Sequence, residues 1–133
     1  MVISRYTPEH EKAVLSAIGK EPDWEIFTAR GAIDNYRKRL EASVTYVCHD
    51  QGEFCGYLRA ILDDAFALYI SELYVVPEKR NQMVGRSLLA RVGRDFHGLN
   101  VYVLSDEDAF YEKAGYKRVG SVFQIGAPSD NEG

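Results

Sequence analysis

The chain has 133 residues, 46% apolar and 27% charged, with a formal net charge of −4. That is the size and balance of one globular domain. It excludes nucleic acid as a main partner, which needs a basic face, and no apolar run approaches the roughly 20 residues that span a bilayer. Met1-Val2-Ile3-Ser4-Arg5 lacks the charged head and apolar core of a secretion signal, so a cytoplasmic protein is expected.

Val2 to Tyr6 alternates apolar and polar residues and reads as a strand. Thr7-Pro8 then opens a helix whose apolar stripe is Ala13, Val14, Ala17 and Ile18, with Gly19 as its stop. Residues 20–30 mix Pro22, Trp24, Ile26 and Phe27 with charges and read as a loop with one helical turn, either lining a pocket or plugging the edge of the core. Ala32 to Ala42 gives a second helix. Strands follow at Val44–His49, Phe54–Leu62 and Phe66–Val76, joined by turns too short for crossovers, which makes them an antiparallel meander. A turn centred on Gln51-Gly52 sets Cys48 opposite Cys55, yet two cysteines in such a chain read as reduced thiols. Their spacing is no metal motif, and none is expected elsewhere.

Val84 to Phe96 reads as a third helix and Asn100 to Leu104 as a strand parallel to the one before it. Ser105 to Asp108 resembles a capping box ahead of a short helix, Ala109 to Ala114, stopped by Gly115. Tyr116 to Ile125 reads as a last strand. One domain over residues 1–126 and a disordered tail over 127–133 are the expectation.

Chemistry concentrates around Leu73-Tyr74-Val75-Val76-Pro77-Glu78-Lys79-Arg80-Asn81-Gln82-Met83-Val84-Gly85-Arg86-Ser87. A strand that ends in a basic, amide-rich loop and a helix start is suited to holding an anion on backbone N–H groups. Glu72 interrupts the apolar strand just ahead of it, where a carboxylate is costly unless it faces a wet cleft or solvent.

Two segments carry a resemblance. Arg80-x-x-Met83-x-Gly85 is similar to the Arg/Gln-x-x-Gly-x-Gly/Ala loop of the GCN5-related N-acetyltransferases, and Phe110-Tyr111-Glu112-Lys113-Ala114-Gly115-Tyr116 to that family's Phe-Tyr-x-x-x-Gly-Phe/Tyr segment. Met83 stands where the family usually has a loop glycine.

The resemblance implies an α+β fold. Its mixed sheet would have six to seven strands, with an N-terminal antiparallel meander, a splayed parallel pair and about four helices. Acetyl-CoA would be the co-substrate, its pyrophosphate on the N–H groups of Asn81, Gln82, Met83, Val84, Gly85, Arg86 and Ser87, with Arg80 adding charge. The pantetheine would pair with Tyr74, Val75 and Val76, opposite Val101 to Leu104, and the Val75 N–H or a neighbour would meet the thioester oxygen. Tyr111 would be the general acid and Glu72 the base. The acceptor would be a primary amine on a small molecule or a protein, and small members of the family are often homodimers. The alternative is an acetyl-CoA-binding module without catalysis; other acyl groups or an oxygen acceptor are a third possibility.

Overall fold

The structure is a computed structural model and describes residues 1–126. The expected tail lies outside the described residues. The chain divides into two compact units, the first Met1–Val103 and the second beginning at Leu104.

The first unit is a five-stranded sheet: β1 (Val2–Arg5), β2 (Val44–Asp50), β3 (Glu53–Asp63), β4 (Ala67–Val75) and β5 (Asn100–Val103). The strands lie in chain order. The first three junctions are antiparallel and β4–β5 is parallel. Helices α1 (Glu11–Ile18), α2 (Glu25–Thr28) and α3 (Ile33–Ala42) fall between β1 and β2, and α4 (Val84–Asp95) makes the β4–β5 crossover. The β2–β3 turn has Gln51 and Gly52 at φ 52° and 82°, the pair of positive angles that a two-residue hairpin needs.

The amphipathic stripes do what their spacing implies. Val14 and Ile18 of α1 and Tyr36 and Leu40 of α3 are buried against Val47, Tyr57 and Tyr74 of the sheet. Each such side chain contributes about 1.5–3 kcal/mol through burial. Val84, Leu88, Leu89 and Val92 bury the face of α4. Between α1 and α3, Trp24 packs edge-on against Tyr74 at 5.3 Å, and Phe27 lies 4.5 Å from Tyr36. These aromatics therefore plug the core edge.

Gly56 sets how closely α4 approaches. A methyl group built there would lie 2.6 Å from the Tyr74 carbonyl oxygen and 3.1 Å from Val84 of α4, so only glycine lets strand and helix meet at this point. Cys48 and Cys55 are free, buried thiols with sulfurs 3.3 Å apart. Cys48 pairs with Gly56, because the register shifts after Cys48. Burial, first, and the neighbouring Cys55 push the Cys48 thiol up to about 12.

In the second unit α5 spans Asp108–Lys113. Its cap is Glu107, not Ser105; the Ser105 hydroxyl instead accepts the Glu107 N–H at 3.1 Å. The strand expected over Tyr116–Ile125 is not formed, and residues 116–126 are irregular. The sheet accordingly has five strands, and the described helices number five. The physical reason is exposure: Val119, Val122, Phe123 and Ile125 bury little, and strand preference is mostly a preference for packing on a pleated surface. Among the described residues no helix is long and apolar enough to cross a membrane.

Candidate active site

β4 outruns its parallel neighbour. Leu68, Tyr69 and Ile70 pair with Val101, Tyr102 and Val103, and no β5 residue is paired with Ser71 to Val75. The expected register, with Tyr74 to Val76 opposite Val101 to Leu104, is thus displaced: β5 meets β4 six residues earlier, and the site segment runs past it. The Val76 N–H donates to the Cys55 carbonyl at 3.0 Å, so position 76 points toward β3. Strand alternation then turns the N–H and C=O of Leu73 and Val75 toward the open edge. Arg80 confirms the direction, its Nε donating to the Val75 oxygen at 2.9 Å. An unpaired strand edge of this kind offers donors and acceptors to an extended amide-bearing ligand.

The edge leads through a helical turn, Pro77–Lys79, into the loop before α4. Asn81 (φ 68°) and Met83 (φ 71°, ψ 6°) are both left-handed. Asn tolerates that region; Met there costs about 1–2 kcal/mol. Met83 is the N-cap of α4 and offers no capping side chain, and the first turn holds no acidic residue. The N–H groups of Val84, Gly85 and Arg86 precede the first helical bond, Ser87 N–H to Met83 O at 2.9 Å. An uncapped helix start leaves backbone N–H groups of the kind that can hold an anion.

Arg80 lies back along this edge. It sits 5.7 Å over the Tyr74 ring and 3.7 Å from Glu21. Tyr74 is buried, donating its hydroxyl to Glu21 at 3.0 Å, and its phenol is raised to about 12 by burial first and then by that hydrogen bond. Asn81, Gln82 and Met83 are exposed, Val84 and Gly85 buried, and Arg86 and Ser87 half-buried.

Glu72 departs from both expected positions. It is only 6% exposed, facing neither solvent nor an open cleft. Arg59 clamps it in a fork, Nε to Oε1 and Nη2 to Oε2, each at 2.7 Å. The Tyr36 hydroxyl donates to Oε1 at 2.5 Å, and the Ser71 hydroxyl donates to Oε2. Tyr36 and Tyr57 share a further hydrogen bond of 2.6 Å, and Arg59 reaches Ser43 at 3.0 Å. The Tyr36 phenol is held far above its ordinary value, by burial first and then by Tyr57 and the Glu72 charge. A buried charge needs this completeness, and every buried side-chain polar atom among the described residues has a partner. Sequence reasoning missed Arg59, Tyr36 and Tyr57. The available signal was one charge in each of two adjacent apolar strands.

Tyr111 lies on α5, half-buried, with Phe110 edge-on at 4.9 Å. Gly115 (φ 95°) ends the helix, and the Tyr116 N–H returns to the Tyr111 carbonyl at 3.0 Å. Burial, then the charges of Asp106 and Glu107, raise the phenol to about 12. It is therefore fully protonated at neutral pH.

The acetyltransferase (GNAT) domain model matches residues 41–118, more than half of the chain. No protein of curated function matches. An aminoglycoside 6'-N-acetyltransferase solved with coenzyme A is 19% identical, covers 90% of this chain and 87% of its own, and superposes with a TM-score of 0.73. A GNAT-family acetyltransferase from Streptococcus pneumoniae TIGR4 is 18% identical over 92% and 96%, with a TM-score of 0.69. A transcriptional regulator from Bacillus halodurans C-125 is 13% identical over 94% and 98%, with a TM-score of 0.72. At these identities the likeness is one of fold. With the domain match, the open β4 edge and the uncapped start of α4 together, the chain belongs to the GNAT family of acyl-CoA-dependent N-acetyltransferases.

Proposed function

We propose that the protein moves the acetyl group of acetyl-CoA directly to a primary amine. The observation that carries this is the continuity of two features: the outward amides of Leu73 and Val75 run straight into an α4 N-terminus that has no cap of its own. A solved structure of the same fold contains coenzyme A, which supports that co-substrate. The pyrophosphate would rest on the N–H groups of residues 81–86, with Arg80 leaving the Val75 carbonyl to meet it and Arg86 adding charge. The pantetheine amides would then take the backbone groups on the β4 edge, and an outward N–H would face the thioester oxygen as charge develops there.

Tyr111 is proposed as the acid on its motif position. A phenol near 12 keeps its proton until the departing thiolate, poorly solvated, is basic enough to take it. Glu72 is proposed as a positioning residue. Both its oxygens are engaged, so accepting a proton would require it to surrender Tyr36 or Arg59. The amine then loses its proton to water.

Calorimetry with acetyl-CoA, followed by thiol release with an amine panel, tests the reading. Binding with turnover is expected. Binding without turnover of any amine would assign the chain to the non-catalytic module, and absence of binding would end both readings.

A further inference from the structure

Glu21 stands at the N-cap of the helical turn Pro22–Trp24, yet its side chain makes no cap bond there. It turns toward β4 instead. Its Oε2 accepts the Tyr74 hydroxyl at 3.0 Å and lies 3.7 Å from Nη2 of Arg80. The same guanidinium donates through Nε to the Val75 carbonyl at 2.9 Å and sits 5.7 Å over the Tyr74 ring. One cation is thus held by a carboxylate, a backbone oxygen and an aromatic face, each of which favours positive charge.

The two sides of this contact differ in freedom. The Arg80 side chain is 50% exposed and that of Glu21 only 23%. Glu21 is bonded to a buried tyrosine, against which Trp24 packs edge-on at 5.3 Å. Arg80 belongs to the loop ahead of α4. An anion on the N–H groups of that loop would draw the guanidinium out of an exposed, weak pairing and leave Glu21 where it is. The Tyr74 phenol registers the local charge: burial first and then Glu21 raise it, Arg80 lowers it, and Glu78 raises it. Without Arg80 the place is therefore negative, and its carboxylate lies one guanidinium away from the Val75 carbonyl on the open β4 edge.

We propose that Arg80 occupies, in the free protein, the place of the acceptor's ammonium group, and that Glu21 holds this ammonium once Arg80 has turned to the pyrophosphate. The proposal rests on the acetyltransfer reading above. The Val75 carbonyl passes to the pantetheine, while Glu21 and the Tyr74 ring remain for the incoming cation. Guanidinium and ammonium exclude each other from one carboxylate and one ring face, so the coenzyme and the amine favour each other's binding. Amines that are ammonium ions in solution gain from the site, and amines that are neutral there do not.

Calorimetry titrates n-butylamine, an ammonium ion at neutral pH, into the protein alone and into its complex with coenzyme A. Binding at least about tenfold tighter to the complex is expected, the equivalent of one hydrogen bond to a charged group. Arg80→Ala, with coenzyme A raised to saturate it, should abolish that difference, because Glu21 is then open without the coenzyme. Glu21→Gln keeps an acceptor for the Tyr74 hydroxyl and removes the charge. At saturating acetyl-CoA it should raise the n-butylamine KM about tenfold, leave the Kd for acetyl-CoA no weaker, and leave the KM for 2,2,2-trifluoroethylamine, neutral at that pH, unchanged. n-Butylamine that binds the complex no better than the free protein, a difference that survives Arg80→Ala, or an equal effect of Glu21→Gln on both amines would overturn the cation site while leaving acetyltransfer intact. A wild type that binds acetyl-CoA and acetylates no amine overturns the acetyltransfer reading, and the cation site with it.

Discussion

Arg59→Met removes the charge from the buried network while keeping most of the side chain's length. The guanidinium holds both oxygens of Glu72 at 2.7 Å, and Glu72 is 6% exposed. The variant leaves that carboxylate with two hydroxyl donors and no countercharge, and breaking one half of a buried ion pair costs about 3–5 kcal/mol. Unfolding entropy of about 2.1 cal/mol/K per residue means that roughly 3.6 °C of Tm is lost per kcal/mol in a chain of 133 residues, a drop of about 11–18 °C. Glu72→Leu alone strands Arg59 in the same way. The double variant Arg59→Met/Glu72→Leu should recover much of the loss, because a buried pair replaced by apolar groups is often near neutral. Thermal melts assembled as a double-mutant cycle read the coupling. A loss under about 1 kcal/mol for Arg59→Met, or a double variant equal to the sum of the singles, would refute the account of the network.

At Met83, Val should cost about 1–2 kcal/mol and weaken acetyl-CoA binding, because β-branching is badly suited to φ 71°, whereas Gly should bind within a few-fold of wild type; melts and calorimetry separate them. Arg80→Ala should lower acetyl-CoA affinity about tenfold, with a weaker salt dependence and an unchanged Tm, since its exposed 3.7 Å pairing with Glu21 contributes little to stability. Tyr111→Phe should lower kcat strongly while the Kd for acetyl-CoA holds, and equal losses in both would remove the tyrosine from proton transfer. Gly56→Ala should cost about 1–3 kcal/mol and loosen acetyl-CoA binding, because the new methyl meets the Tyr74 carbonyl at 2.6 Å, while Gly93→Ala, with open space around it on α4, should stabilise by about 1 kcal/mol in the same melts.

Much of the fold was legible because the signals are local. The stripes of α1, α3 and α4 and the Gln51-Gly52 turn follow from spacing and backbone freedom alone, and each stands within a few residues of where it was expected. The Arg80-to-Gly85 loop was legible for the same reason. Tyr116–Ile125 was misread because alternation predicts a strand only where a neighbour exists to cover it. The setting of Glu72 could not be read from spacing. It depends on register, and register depends on one residue.

That residue is Ser71. Ile61 opposes Tyr69 and Ala60 opposes Ile70, so regular pairing would set Arg59 against Ser71 and turn Glu72 toward the α4 face. The shift between Arg59 and Ala60 makes Ser71 the extra residue and brings Glu72 opposite Arg59 instead. The carboxylate then enters the α1–α3 core, where Arg59 and Tyr36 are waiting. The same shift falls one residue after the last β4–β5 pair, Ile70–Val103, and a bulge increases local twist where it occurs. β4 thus parts from β5 just where its register changes, which leaves the amides of Leu73 and Val75 facing outward and carries the strand into the uncapped start of α4. The buried ion pair and the open edge are two consequences of one inserted residue, so a substitution that restored regular β3–β4 pairing would be expected to disturb both together.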